Sequence, residues 1–322
     1  MTTQQLSSGD LLADRRADYA RMFAESGAFA EAAEVMEQAL ELAPDWAAGW
    51  FRFADYAEKS GRKEAATAAL ETVVTLDPED IFGAVLKLAL FGATDVPPAP
   101  PSRYVEQLFD DYAERFDEAL VERLDYSVPE SLTDLILQHV GDERRFAHVI
   151  DLGCGTGLFG ERIRDRTDFL QGFDLSANML AKAADKQTYD RLAQADLSLP
   201  FAQSGVPSAL SGEKADRRAD LVSAADVLMY LGDLAEVFDT AARLLEPGGL
   251  FAFSVEDART VSAQAVGEGF VLRRSLRYAH SESFIRERAD GAGFAIVAMR
   301  REVIRTEAGN PVHGLLFVVR RA

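Results

Sequence analysis

Residues 151–157 have the sequence DLGCGTG, so three glycines alternate with other residues directly after an apolar run at 148–151. Glycine lets the backbone approach a ligand where a Cβ would clash, and it adopts positive φ at little steric cost. A helical pattern follows, and the first N–H groups of a helix have no partner within it. This spacing predicts a loop that binds a small-molecule cofactor with a carboxylate and a ribose.

Two further acidic residues follow apolar runs and favour the same chemistry. Asp174 ends the run at residues 170–174, and Asp196 lies where a third strand should end. In an open parallel sheet, ligands bind at the carboxyl ends of the strands, near the point where the strand order reverses. A carboxylate there can accept hydrogen bonds from both ribose hydroxyls, and the second acid can accept one from an exocyclic amine.

Residues 148–255 resemble the class I S-adenosylmethionine (SAM)-dependent methyltransferases, and residues 151–157 match the first motif of that family closely. The resemblance implies that the three glycines line the methionine part of SAM and that Asp174 holds the ribose. It implies that Asp196 meets the adenine, with Leu197 and Met179 beside the ring. It also places the segment 225–230 near the transferred methyl. The residues expected to contact the cofactor are Asp151, Gly153, Cys154, Gly155, Gly157, Asp174, Leu175, Met179, Asp196, Leu197 and Ala225.

More narrowly, most of the chain resembles a bacterial group of predicted methyltransferases that carry tetratricopeptide repeats. The segments 108–117 and 278–281 are similar to that group. The resemblance assigns no substrate.

A nicotinamide dinucleotide is the alternative ligand for the glycine loop. Residues 155–160 (GTGLFG) fit the pattern GxGxxG, and Asp174 is nearby, but this fingerprint alone is weak. Asp151 would repel a pyrophosphate, whereas it suits an ammonium group. The sequence therefore favours SAM.

Methyl transfer requires a nucleophile held in line with the C–S bond of SAM, and a base can remove a proton from an oxygen or nitrogen acceptor. We expect His280 to be this base because it lies between the fifth and sixth predicted strands, although a histidine hydrogen-bonded within a loop is the competing interpretation. Tyr230 and Asp226 are alternatives near the methyl. We interpret Cys154 as a packing residue. No His/Cys cluster has ligand spacing, so no metal site is predicted.

From residue 148 onward, short apolar runs alternate with helical patterns, which predicts parallel strands joined by helices. The runs at 294–298 and 315–319 have no helix between them and predict an antiparallel hairpin. The predicted fold class is therefore α/β. We expect a Rossmann-like, seven-stranded class I methyltransferase sheet that ends in this hairpin, preceded by an all-α tetratricopeptide-like domain.

Residues 11–92 repeat at an offset of 34, so that Gly27 returns as Gly61 and Pro44 as Pro78. A 34-residue period with glycine between two helices and proline after the second is typical of tetratricopeptide repeats. Two repeats are fewer than are usually stable alone, so we expect this module to pack against the second domain or another subunit. The predicted domains are a helical domain at 1–92, a proline-rich linker at 93–103 and a methyltransferase domain at 104–322.

Two segments are candidates for contacts with the ligands. Phe109, Tyr112 and Phe116 share one helical face, which either covers the SAM pocket or packs in the core. The connection at residues 198–218 is long for neighbouring strands, and long connections are often functional, so it is a candidate substrate loop.

The charge and composition limit the partners. There are 34 basic and 53 acidic residues, a net charge of −19, which repels nucleic acids and anionic membranes. No apolar run is long enough for a membrane span, no signal peptide is evident, and the single cysteine fits a reducing compartment. We therefore expect a cytoplasmic protein with neither nucleic acid nor membrane as a partner.

Three functions agree with these features. The expected one is a methyltransferase with a small-molecule acceptor, whose repeats mediate assembly. A protein methyltransferase that recruits its substrate through the repeats and a SAM-binding scaffold without turnover are the alternatives.

Overall fold

The computed structural model describes residues 7–113, 126–210, 218–260, 269–307 and 309–322. The chain forms two compact units, residues 1–107 and 108–322. No helix within the described ranges is long and apolar enough to cross a membrane. The linker bounds inferred from the prolines stay a prediction.

The first unit is built from helices that pack on their neighbours along the chain. Gly27 follows the first helix and Gly61 the third, with φ angles of +81° and +83°, which is the left-handed conformation that glycine adopts most easily. Fully buried alanines, among them Ala32 and its repeat equivalent Ala66, allow the helices to approach closely. The repeats are therefore confirmed as helical pairs. The helices are α1 (Leu11–Glu25), α2 (Phe29–Leu40), α3 (Ala47–Lys59), α4 (Lys63–Leu76) and α5 (Ala84–Phe91).

The second unit is a sheet with helical connections. Helix α6 (Ser102–Tyr112) ends in this unit, and α7 (Val128–Val140) precedes the sheet. The strands are β1 (Phe146–Leu152), β2 (Thr167–Asp174), β3 (Arg191–Gln194), β4 (Ala219–Ala224), β5 (Leu245–Asp257), β6 (Phe270–Leu272), β7 (Tyr278–His280), β8 (Phe294–Glu307) and β9 (Asn310–Arg321). The remaining helices are α8 (Leu158–Ile163), α9 (Ala177–Asp185), α10 (Val206–Ala209), α11 (Ala235–Leu244) and α12 (Glu282–Gly291).

The sheet reverses its strand order between β1 and β4. Strands β3, β2, β1, β4 and β5 are parallel neighbours in that order, so β1 lies between β2 and β4. This reversal leaves a crevice at the carboxyl ends of β1 and β4, where ligands of open α/β sheets bind. The glycine loop follows β1 and therefore lies at that crevice.

The predicted hairpin is confirmed. Strand β9 pairs antiparallel with β5, and β8 pairs antiparallel with β9. The inner residues of β5 and β9 are almost all apolar because both faces of the sheet are covered, and Phe253 and Phe317 stack at 5.4 Å between ring centroids. Together with the five parallel strands, the hairpin gives the seven strands that the sequence predicts.

Two short strands that the sequence analysis did not predict extend the sheet to nine strands in the described residues. β7 pairs with the last residues of β5, Glu256 and Asp257, and β6 pairs with β7. Each is only three residues long, so neither shows a hydrophobic period. Their position at the end of β5 brings His280, the last residue of β7, to the carboxyl edge of the sheet.

Candidate functional site

The glycine loop after β1 has the backbone that its composition predicts. Gly153, Gly155 and Gly157 have φ angles of +68°, +53° and +95°. A Cβ on Gly153 would lie 2.4 Å from a methyl of Val227, so at this position the loop lies against the segment that follows β4. The loop is therefore a tight, side-chain-poor bend between the ends of β1 and β4.

Asp174 joins the end of β2 to this loop. Its Oδ2 accepts a hydrogen bond of 2.8 Å from the Gly155 N–H, and its Oδ1 accepts one of 2.9 Å from the Ser176 N–H. Burial raises the pKa of Asp174 to about 6, and the nearby charge of Asp110 acts in the same direction. Each carboxylate oxygen has a further lone pair, so Asp174 can still accept from a diol.

Asp151 is the buried acid of the site, with 1% of its surface exposed. The Tyr189 hydroxyl donates to its Oδ2 at 2.6 Å, and the Ser223 hydroxyl donates to its Oδ1 at 2.7 Å. The strand register explains the second bond, because Asp151 pairs directly with Ser223 across β1 and β4. Burial raises the pKa of Asp151 to about 6, and the charge of Asp174 adds to this.

We expect Asp151→Asn to stabilise the ligand-free protein more at pH 8 than at pH 5. Because burial raises the pKa of Asp151 from 3.8 to about 6, the folded state binds more protons than the unfolded state between these pH values. The native protein therefore loses stability as the pH rises through this window. The whole pKa shift corresponds to roughly 3 kcal/mol, and about half of it, roughly 1.5 kcal/mol, is expected between pH 5 and pH 8. Thermal unfolding of both proteins at the two pH values measures it. An equal gain at both pH values would contradict the burial of a charged Asp151.

Tyr189 is a site residue that the sequence analysis missed. Its ring fills the space that glycines leave open, since a Cβ on Gly160 would lie 2.4 Å from its hydroxyl oxygen and one on Gly157 2.9 Å from the ring. Tyr189 precedes the short strand β3, and no local pattern marks it. Gly160, the last glycine of the GxGxxG pattern, is therefore needed in this chain because Tyr189 packs against it.

Replacing Gly160 with alanine should destabilise the protein by about 1–3 kcal/mol, because the new methyl meets the Tyr189 ring in a packed region. Gly291→Ala is the matched control, since Gly291 is also helical and a Cβ added there would meet no heavy atom within 4 Å. Alanine should be neutral or stabilising there. Denaturant unfolding of both variants tests this expectation, and equal effects would contradict it.

The predicted adenine-binding residues lie near the ends of β2 and β3. Asp196 follows β3 by two residues, and its Oδ1 accepts hydrogen bonds from the backbone and hydroxyl of Ser198 at 2.9 and 2.6 Å. Leu175 and Leu197 are half-buried. Met179 is fully buried in α9.

Cys154 lies inside the glycine loop with 6% exposure, and burial raises the pKa of its thiol well above the ordinary value. A Cβ on Gly172 would lie 2.9 Å from its sulfur, so Cys154 packs tightly against β2. A buried, protonated thiol agrees with a packing role.

Helix α6 contacts both sides of the crevice. The Ser176 hydroxyl and the Asn178 amide donate to Asp110, beside the end of β2. On the other side, the rings of Phe109 and Tyr230 meet edge to face at 5.0 Å. Of the predicted aromatic face, Phe116 lies outside the described residues, as does part of the 198–218 loop.

The segment after β4 holds a buried cluster of charges. Asp226 has a φ of +55°, which is unusual outside glycine, and Arg305 of β8 donates to its carboxylate at 2.8 and 3.1 Å. Arg305 is 1% exposed and also pairs with Glu256 and Glu307. Desolvation raises the pKa of Asp226, while Arg305 opposes this.

Tyr230, one of the two predicted catalytic residues, lies at the edge of this cluster. Burial raises the pKa of its hydroxyl, and the nearby charge of Arg277 opposes that shift. Arg277 also pairs with Glu256 and Glu307, so it connects Tyr230 to the network around Arg305.

His280, the other predicted catalytic residue, is fully buried. Its Nε2 donates to the Gly232 carbonyl at 3.0 Å, and its ring stacks on Phe284 at 5.9 Å. Nδ1 is buried without a hydrogen-bond partner among the described residues. Burial lowers the pKa of His280 to about 4, so the imidazole is neutral near pH 7. Through its hydrogen bond to Gly232, His280 therefore connects β7 with the segment after β4.

The fold and the site together define a class of protein. A doubly wound sheet, with acidic residues at successive strand ends beside a glycine loop, is typical of α/β domains whose ligands bind at the carboxyl ends of the strands.

Comparison with known families narrows this class. The family described as "Methyltransferase domain" matches residues 124–299, more than half of the chain, and the family "Tetratricopeptide repeat" matches residues 23–86. The chain belongs to the methyltransferase domain family. Its N-terminal part carries tetratricopeptide repeats.

Two curated relatives each match less than half of this chain. A malonyl-[acyl-carrier protein] O-methyltransferase of Enterobacter lignolyticus is 32% identical over 46% of this chain and 53% of its own length. A ubiquinone biosynthesis O-methyltransferase of Thiobacillus denitrificans is 31% identical over 41% of this chain and 55% of its own length. The chain thus spans about half the length of the curated relatives it matches.

A solved structure with a similar fold is the 1,6-didemethyltoxoflavin-N1-methyltransferase of Burkholderia thailandensis, with 21% identity and a TM-score of 0.49. The match covers 71% of this chain and 93% of that protein.

Proposed function

We propose that this protein transfers a methyl group from SAM to an oxygen atom of a small-molecule acceptor. The observation that carries the proposal is the joined arrangement of Asp151, Asp174 and the glycine loop, in which one carboxylate is bonded to the loop and the other lies directly below it. Two acids and a bend without side chains suit a cofactor with an ammonium, a sulfonium and a ribose. A pyrophosphate beside the glycine loop would be repelled by Asp151.

The cofactor-binding roles of individual residues are part of this proposal. Asp174 accepts from the ribose hydroxyls, Asp151 acts on the ammonium end, and Asp196, through the oxygen not bonded to Ser198, accepts from the adenine amine. Gly153, Cys154, Gly155 and Gly157 form the bend. Leu175, Met179, Leu197 and Ala225 supply apolar walls.

SAM supplies an electrophilic methyl group on its sulfonium, so the protein needs mainly to orient the acceptor and exclude water. We propose that Tyr230 and the segment after β4 orient the acceptor. Burial raises the pKa of the Tyr230 hydroxyl, so the phenolic O–H keeps its proton near pH 7 and can donate to an acceptor oxygen. A role of His280 as base stays a prediction, and it requires a rearrangement that exposes Nδ1.

The charge cluster favours a neutral or acidic acceptor over a cationic amine. Asp226 is the acid nearest the predicted methyl position along the chain, and Arg305 neutralises it with two hydrogen bonds. No free carboxylate is therefore left at Asp226 to bind an ammonium. The names of the relatives that the chain matches, two kinds of O-methyltransferase, support an oxygen acceptor.

Two alternatives remain as proposals. In the first, the protein methylates a polypeptide that its repeats recruit. In the second, it is a scaffold that binds SAM without turnover. The cytoplasmic location stays a prediction from the composition.

The proposal is tested by measuring the formation of S-adenosylhomocysteine with the full chain. We expect turnover with a member of a panel of small carboxylic acids and phenols, and none with small amines. Turnover only on polypeptides would support the recruitment alternative, and turnover on amines alone would contradict the assignment of Asp226.

A further inference from the structure

The outward face of α1 carries a stripe of large apolar side chains. With about 100° between successive residues of a helix, this face lies opposite the buried alanines Ala13, Ala17 and Ala20. A helix at the surface normally has polar residues on its outer side. The exposed apolar residues are Leu11, Leu12, Tyr19, Met22 and Phe23.

The internal repeat shows how such a face is covered elsewhere in the same unit. Helix α3 is the equivalent of α1 at the offset of 34 residues, and α3 packs against α2 of the preceding repeat. Four of the five corresponding side chains are buried there, and Asp45, the counterpart of Leu11, is exposed. The exposed fraction falls from 52% at Leu12 to 6% at Trp46, from 61% at Tyr19 to 4% at Phe53, and from 61% at Met22 to 8% at Tyr56.

We propose that the α1 face is an interface between two copies of this chain, with the two α1 helices packed antiparallel about a two-fold axis. The α1 face has the composition of a helix that is covered in a repeat stack, and in the described residues nothing covers it. A two-fold arrangement closes the assembly with two copies, because the same patch is used on both sides.

The charges of α1 fit this geometry. The first half of the helix contains Asp14, Arg15 and Arg16, with a net charge of +1, and the second half contains Asp18, Arg21 and Glu25, with a net charge of −1. Antiparallel packing places each positive half against the negative half of the partner helix. The helix as a whole is neutral in a chain of net charge −19, so two copies can approach at this surface without the repulsion expected elsewhere.

The first test is the mass of the full chain in solution by sedimentation velocity. We expect a dimer for the native sequence, and a weakening of association on the order of a hundredfold for the double variant Tyr19→Glu and Met22→Glu. Leu42→Glu is the control, since Leu42 is an exposed leucine of the same unit outside α1, and it should remain dimeric. A native monomer, or a dimer that the double variant leaves intact, would overturn the proposal.

A second test does not depend on the folding of the double variant. Tyr19 lies next to the middle of α1, so the two copies of this position lie close to the two-fold axis. Tyr19→Cys should form a disulfide-linked dimer under mild oxidation, whereas Ala68→Cys, on the exposed surface of α4, should not. The native Cys154 is buried and should not contribute. Equal cross-linking of the two variants would contradict the arrangement.

Discussion

Asp174→Asn is expected to weaken SAM binding by about a hundredfold, with little change in the fold. An asparagine can accept only one of the two backbone hydrogen bonds that Asp174 accepts, from the Gly155 or the Ser176 N–H, and it lacks the charge that strengthens bonds from the ribose hydroxyls. Charge-assisted hydrogen bonds contribute about 1.5–3 kcal/mol each, and two of them are at stake. Isothermal titration calorimetry at pH 8 measures the change.

The pH dependence of binding provides a second readout for the same residue. Because the pKa of Asp174 is about 6, its carboxylate ionises as the pH rises through that value, and SAM affinity of the native protein should rise between pH 5 and 7. The asparagine variant should lose the part of this rise that Asp174 contributes. Asp168→Asn, at the exposed start of the same strand, is the control and should bind normally. Unchanged affinity in Asp174→Asn would refute the ribose assignment.

Arg305→Met is expected to be the most destabilising single change in the second unit. It removes the cation shared by Asp226, Glu256 and Glu307. The buried Asp226 loses its ion-pair partner, whereas Glu256 keeps Arg273 and Arg277. Breaking a buried ion pair in this way costs about 3–5 kcal/mol. Calorimetric unfolding should show a Tm lower by about 10 °C for a unit of this size.

The pH dependence distinguishes lost charge pairing from lost packing. In the variant, burial without Arg305 raises the pKa of Asp226 further, so at pH 5 the carboxyl can protonate in the folded state and the loss of stability should be smaller than at pH 8. Arg243→Met, which removes an exposed pair with Asp239 on α11, should leave the free energy of unfolding almost unchanged. An equal loss in the two variants would contradict the role of the cluster.

Most of the fold could be predicted from the sequence because long elements carry a strong period. The 34-residue offset identified the helical repeats, and the apolar runs identified β1, β2, β4 and the final hairpin. The strands β6 and β7 escaped prediction because three residues show no period. Their pairing with the end of β5 is a tertiary effect.

The residues of the site could be predicted where they belong to a short sequence motif, but not where distant elements bring them together. The glycine loop and Asp174 are local signals, and the structure brings them together. Tyr189 and Arg305 reach the site from segments without a motif, so only the fold reveals them. The sequence analysis located His280 between the fifth and sixth predicted strands, but its burial depends on Phe270 and Phe284, which the sequence does not bring together.

The central claim is that the acids and the bend at the ends of β1 and β2 bind a cationic sulfur nucleoside. Calorimetric titration of the full chain with SAM, and separately with a nicotinamide dinucleotide, tests it most directly. We predict binding of one SAM per chain, weakened in Asp174→Asn, and no binding of the dinucleotide. Binding of the dinucleotide in place of SAM would contradict the account.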